Sequence, residues 1–200
     1  SHLVPASPIP GGRQAALERW KRFLTEQLAH YPAERNHPDA DSTSGMSPYL
    51  HYGHISVHEM FFDLAQKEEW GPDRLAGTSS GRRQGFWGMS EAAEAFLDQL
   101  VTWREVGFNF CAHRSDYDQY GSLPAWAQQT LAKHRKDKRE YVYSLEEFAE
   151  AKTHDPVWNA AQRQLTVEGR LHNYLRMLWG KKILEWRLNR KNALEIMIEL

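Results

Sequence analysis

An all-α fold is predicted by three features of this 200-residue sequence. Apolar residues recur at three- and four-residue spacing in several separate stretches. No stretch sustains the alternation of a half-buried strand. Ser, Asp and Pro stand where those periodic stretches begin, which is where helix caps belong. Together they predict about eight helices, some largely buried, in one domain or in part of a larger protein.

The first dozen residues, SHLVPASPIPGG, are rich in Pro and Gly and read as a linker or an expression scar at 1–12, ahead of a helical domain at 13–200. From Arg13 to about Tyr31, Ala16, Leu17, Trp20, Phe23, Leu24 and Leu28 mark an amphipathic helix. Residues 32–47 are polar and form a loop. Ser47-Pro48 reads as an N-cap with Pro at the first helical position, starting a helix that runs to about Lys67. After a loop rich in Gly, Ser and Arg, Ser90 caps a helix that continues towards Cys111. A short helix covers Pro124–Lys133. Ser144 with Glu147 forms a capping box, Asp155-Pro156 opens a further helix, and Leu171–Trp186 is strongly helical. The final apolar run, Ala193, Leu194, Ile196, Met197, Ile198 and Leu200, stops without a cap or polar tail. It is expected to leave an uncovered face and to make the chain a self-associating fragment.

Composition narrows the function classes. With 41% hydrophobic and 26% charged residues, collagen-like and disordered chains are excluded. The single cysteine, Cys111, allows no internal disulfide, which favours a reducing, cytoplasmic setting. No apolar run reaches the ~20 residues that span a bilayer. The net charge of −1 hides an asymmetry, because residues 131–200 hold 14 Lys/Arg against 10 Asp/Glu. That basic portion suits a local polyanion contact or simply a solvated face.

Several clusters bear chemistry. The loop from Asp41 to Ser47 gathers hydroxyls and backbone N–H groups at a predicted helix start, which suits either simple capping or a phosphate. His51, His54 and His58 fall on one face of the predicted helix, yet lack the partners of a recognised metal site. The run Lys133–Arg139 reads as a solvated helix end or a phosphate contact. On the helix 171–186, Asn173 and Arg176 project together, and Trp179 and Trp186 lie about 10 Å apart along one face. Polar groups on an otherwise buried helix need partners, from a bound ligand or from neighbouring helices.

Four blocks, TSGMSPYLHYGHIS (43–56), FLDQLVTWREVGFNFC (96–111), THDPVWNAAQ (153–162) and LHNYLRMLWGKKILEW (171–186), occur in an order that resembles the FAD-binding helical domain of the photolyase/cryptochrome family. Within it they look most like class II cyclobutane-pyrimidine-dimer photolyases. The resemblance implies a light-driven, FAD-dependent lyase that acts on UV-damaged DNA. By that resemblance Tyr31, Thr43, Ser44, Gly45, Met46 and Ser47 lie along the FAD pyrophosphate and ribityl chain. Arg104, Asn173 and Arg176 contact the flavin, and Trp103 and Met177 line the cavity for the flipped dimer. Trp179, Trp158 and Trp186 match an electron-transfer series running from the flavin-proximal position to the surface. Trp20, Trp70, Trp87 and Trp126 keep a packing role. Arg82, Arg83, Lys133 and Arg135 are candidates for flanking DNA phosphates.

Two departures from the family pattern stand out. Gln99 replaces a glutamate that bonds the dimer, and the sequence stops before an Asn/Asp-bearing segment beside the flavin. The alternatives are a cryptochrome-like flavin photoreceptor without repair, and a helical interaction module without flavin.

Overall fold

The structure is a computed structural model, and it describes residues 5–78, 81–82 and 84–200. Every regular element among the described residues is helical. The chain divides into two compact units, Ile9–Phe110 and Cys111–Leu200 with the N-terminal stretch ending at Pro8. Each unit has its own apolar core.

In the first unit, α1 (Arg13–Arg22) buries Ala16 and Trp20 along the predicted stripe. It widens into a π-helical turn over Phe23–Gln27 and tightens into a 3₁₀ turn over Leu28–His30, before α2 (Tyr31–Glu34). The wider turn rotates the buried face, so Gln27, Leu28 and Tyr31 all turn inward with Phe23. Phe96, from α5 (Glu91–Leu97), meets Phe23 at 4.9 Å and Tyr31 at 5.6 Å between ring centroids. Ser90 caps α5 through the Ala93 N–H, as its sequence position predicts. A second π-helical segment (Asp98–Trp103) leads into α6 (Arg104–His113).

The predicted helix from Ser47 to Lys67 is broken. Met46 takes the N-cap position of a five-residue α3 (Ser47–His51), and α4 (Val57–Lys67) starts anew with its own Ser56 cap. Gly53, at φ +68°, supplies the left-handed residue of the break, and the His54 N–H returns to the Tyr49 carbonyl at 2.8 Å. His51, His54 and His58 therefore do not share one helix face. Among the described residues no group of His, Cys, Asp or Glu is placed to hold a metal ion. Breaks of this kind raise the helix count above the eight expected.

The second unit contains α7 (Ala125–Lys133), α8 (Leu145–Ala149), α9 (Pro156–Glu168), α10 (Asn173–Glu185) and α11 (Arg190–Glu199). Local signals place most of these boundaries. Ser144 and Glu147 form the capping box of α8, and the Asp155 carboxylate accepts from the Val157 and Trp158 N–H groups at the start of α9. The expected uncovered C-terminal face is not found. Ala193 and Ile196 of α11 are buried in a core with Phe148, Trp158, Trp179, Ile183 and Trp186, and Met197 and Leu200 pack against it. A helix–helix contact inside the unit thus covers what looked like a docking face, and Ile198 is the large apolar residue of α11 left exposed. No helix among the described residues is long and apolar enough to cross a membrane.

Candidate functional site

The hydroxyl loop is held from behind by its carbonyl groups. Arg19 on α1 donates from Nε to the Ser44 carbonyl at 2.8 Å and from Nη2 to the Thr43 carbonyl at 2.6 Å. Gln27 donates to the Asp41 carbonyl, and the Ser42 hydroxyl donates to Glu34. Gly45 sits at φ +66°, and a Cβ there would come within 2.8 Å of Arg19 Nε, so the guanidinium occupies the space a side chain would need. With the carbonyls taken, the Ser44 and Gly45 N–H groups and the Thr43 and Ser47 hydroxyls have no acceptor among the described residues. Such a donor set fits a phosphate. The fit rests on these groups, because α3 is too short to contribute much dipole. Met46 turns the other way and is 1% exposed, in the core with Tyr49.

Tyr31 is also buried. Burial pushes its phenol pKa up, and the charge of Asp98 adds to this while nearby Arg35 opposes it. Asp98 is a residue that sequence reasoning passed over. One carboxylate oxygen accepts from Gln99 Nε2 at 2.9 Å and from Trp103 Nε1 at 3.1 Å, tying together two of the three positions that the resemblance assigns to the dimer. The link from 98 to 103 spans five residues, a spacing that a π-helical turn aligns and an α-helix does not. Trp103 is otherwise exposed, as is Phe108, over whose ring the Arg104 guanidinium lies at 4.5 Å. Arg104 also pairs with Glu105 at 3.0 Å.

The second unit brings the three named tryptophans together in its core. Trp158 and Trp179 stack with centroids 6.2 Å apart and planes 4° from parallel, and Trp158 meets Trp186 edge-on at 6.0 Å. The Trp158 Nε1 donates to the Trp179 carbonyl at 3.1 Å, and the Trp179 Nε1 donates to Gln162 Oε1 at 2.8 Å. Trp186, expected at the surface, is 2% exposed. Tyr143 at 5.6 Å, His154 at 5.0 Å and the Lys182 ammonium at 5.4 Å cover it. Tyr143 Oη and His154 Nδ1 share a 2.7 Å hydrogen bond, and the His154 ring stacks on Tyr141 at 3.7 Å.

Asn173 and Arg176 pair on the exposed side of α10, with Arg176 Nη2 donating to Asn173 Oδ1 at 2.7 Å, and Met177 and Tyr174 are exposed beside them. Among the packing tryptophans, Trp20 is buried and donates to Asp63 at 3.0 Å, and Trp70 meets Trp87 at 6.1 Å. Trp126 departs from that role, being 70% exposed on α7. Arg82, Lys133 and Arg135 are exposed, whereas Arg83 lies outside the described residues.

No family model matches the chain. Similarity to individual proteins is extensive. The deoxyribodipyrimidine photo-lyase of Potorous tridactylus is 37% identical over 189 residues, covering 94% of this chain and 32% of that protein. The photo-lyase of the same name from Methanothermobacter thermautotrophicus is 41% identical over 196 residues, covering 97% of this chain and 38% of that protein. The one from Oryza sativa subsp. japonica is 37% identical over 194 residues, covering 94% and 35%. The chain thus spans about a third of the length of these curated relatives. Among solved structures, a bacterial class III photolyase from Agrobacterium tumefaciens aligns with a TM-score of 0.62 at 18% identity, covering 98% of this chain and 41% of that one. At that identity the likeness speaks to the fold.

Proposed function

We propose, from a chain that belongs with the deoxyribodipyrimidine photo-lyases by homology over nearly its whole length, that it is the flavin-carrying helical part of a class II-like DNA photolyase. The reaction proposed for the whole protein is light-driven splitting of cyclobutane pyrimidine dimers in DNA. The observation that carries the reading is the tryptophan series. Trp179, Trp158 and Trp186 lie in ring-to-ring contact inside a helical segment of a photo-lyase relative.

FAD is the implied cofactor, and bound here it would supply light absorption and one-electron chemistry. The chain's own residues have the matching chemistry. The free N–H groups and hydroxyls of Thr43, Ser44, Gly45 and Ser47 would bind its phosphates, with Tyr31 and Met46 shaping that loop from the core side. Arg104, Asn173 and Arg176 would hydrogen-bond the flavin. Trp179, Trp158 and Trp186 would relay electrons, indole being among the most easily oxidised side chains. Gln99, Trp103 and Met177 would meet the extruded dimer, whose poor stacking lowers the cost of flipping by part of a few kcal/mol. Asp98 would fix the Gln99 and Trp103 side chains before the dimer arrives.

Incubation with FAD, desalting and an absorption spectrum test the cofactor; blue light with an external reductant then tests the tryptophans. Retained flavin that bleaches in the unmodified chain, and much more slowly after Trp179→Phe, is the expected result. A chain that stays colourless at every FAD concentration favours a helical interaction module. Gln99 favours a second reading, a flavin photoreceptor without repair, because it lacks the charge of the family's glutamate and its amide is engaged by Asp98. Flavin binding without light-driven repair of dimer-containing DNA by the full-length protein would support that reading.

A further inference from the structure

We propose that Gln162 is a positioning residue that holds the indole proton on Trp179 when that ring loses an electron, so that the positive charge moves outward to Trp158 and Trp186. This rests on the tryptophan relay proposed above and names a part of it that neither the sequence pattern nor the relatives' names assign.

Gln162 lies four residues after Trp158 on α9, so the two side chains share one helix face, and both are 2% exposed. That face meets α10 at Trp179. The inner pair of rings is consequently bonded in a particular way. Trp179 Nε1 donates to the Gln162 amide oxygen, and Trp158 Nε1 donates to the Trp179 backbone oxygen. Both acceptors are amides, which are very weak bases. Each lowers the cost of positive charge on its indole by accepting the N–H bond, and neither takes the proton away. The titratable groups that face the series, His154, Tyr143 and Lys182, all meet Trp186. Among the described residues no ionisable side chain is hydrogen-bonded to the indole N–H of Trp158 or Trp179 or to the Gln162 amide, and the Asp155 carboxylate meets Trp158 at its backbone N–H, 3.0 Å away. The inner indole N–H groups thus have amide acceptors and no base bonded to them.

The consequence is directional. Trp179 gives one electron to a one-electron photo-oxidant, an excited flavin under the proposed function, and keeps its N–H proton as a radical cation. One electron from Trp158 restores it, and one from Trp186 restores Trp158. The charge then rests on Trp186, and no proton has left Trp179. A base in place of Gln162 takes the Trp179 proton and leaves a neutral indolyl radical, a weaker oxidant of Trp158, so the charge stops at the inner ring. A glutamine kept only to satisfy a buried N–H has no such effect.

The test uses the chain without flavin, oxidised by a flash-generated ruthenium(III) polypyridyl complex and followed by transient absorption. The Trp179 contribution is the difference from the same protein carrying Trp179→Phe. In Gln162→Glu, a neutral indolyl radical dependent on Trp179 is expected, growing as pH rises through the carboxyl's titration, with loss of the outer radical. The unmodified chain is expected to show neither the inner neutral radical nor that pH dependence. Identical radicals and pH profiles in the two proteins would overturn the proposal. Should Gln162→Glu fail to fold, the unmodified chain decides the matter in D₂O, where unchanged outward transfer is expected and slowed transfer overturns it. The relay itself fails separately. If the FAD-loaded chain photoreduces equally well with Trp179→Phe, the tryptophans do not serve the flavin, whatever the flavin-free radicals show.

Discussion

The indole N–H of Trp158 reaches across from α9 to the backbone carbonyl of Trp179 on α10, so the two rings are fixed 6.2 Å apart and 4° from parallel by a bond to main chain. An indole held this way cannot turn without leaving a buried donor unpaired. The electronic overlap between the rings is therefore as rigid as the helix pair that carries them.

Removing one of these rings has a structural as well as an electronic effect. Trp179→Phe leaves the buried Gln162 oxygen without its donor and a gap beside Trp158, at a cost of about 2–4 kcal/mol. Urea unfolding followed by circular dichroism should show this loss. Restoring the partner by Gln162→Leu in the same protein should recover part of it, because an apolar pair needs no hydrogen bond.

Gly45→Ala acts on the hydroxyl loop. A Cβ at φ +66° is strained, and it meets the Arg19 guanidinium that pins the Thr43 and Ser44 carbonyls. About 1 kcal/mol or more of stability should be lost. Retention of FAD after desalting should fall further than that loss explains, since the displaced Arg19 frees the loop.

Alkaline stability should report Tyr31. Its folded pKa is raised, first by burial, so the phenol stays protonated in the fold at pH values where the unfolded chain's phenol, near its ordinary ~10, ionises. The contribution is fully present below about pH 10 and is lost as pH rises through the folded pKa. The unfolding midpoint should drop steeply above about pH 10 in the unmodified chain and less steeply in Tyr31→Phe.

The capping box of α8 is a local feature with a local readout. Ser144→Ala removes the acceptor for the Glu147 N–H and should destabilise the second unit by about 1 kcal/mol. Amide exchange over Leu145–Phe148 should quicken, while exchange within the first unit's core should be unchanged.

The sequence by itself determined the helical class, the start of α5 at Ser90, of α8 at Ser144 and of α9 at Asp155, and the four blocks that carry the family resemblance. Each of these is written in residues within a few positions of one another, where capping and periodicity act. Tertiary structure decided the rest. The break at Gly53 that parts three histidines, the π-helical turns that turn Tyr31 inward and bring Trp103 to Asp98, and the burial of Trp186 beneath Tyr143 and Lys182 are all of this kind. So are the bond from Gln162 to Trp179 and the burial of α11 against α10. They depend on which helix faces meet, and a helix's own periodicity shows only that it has a face to bury, not the partner that covers it.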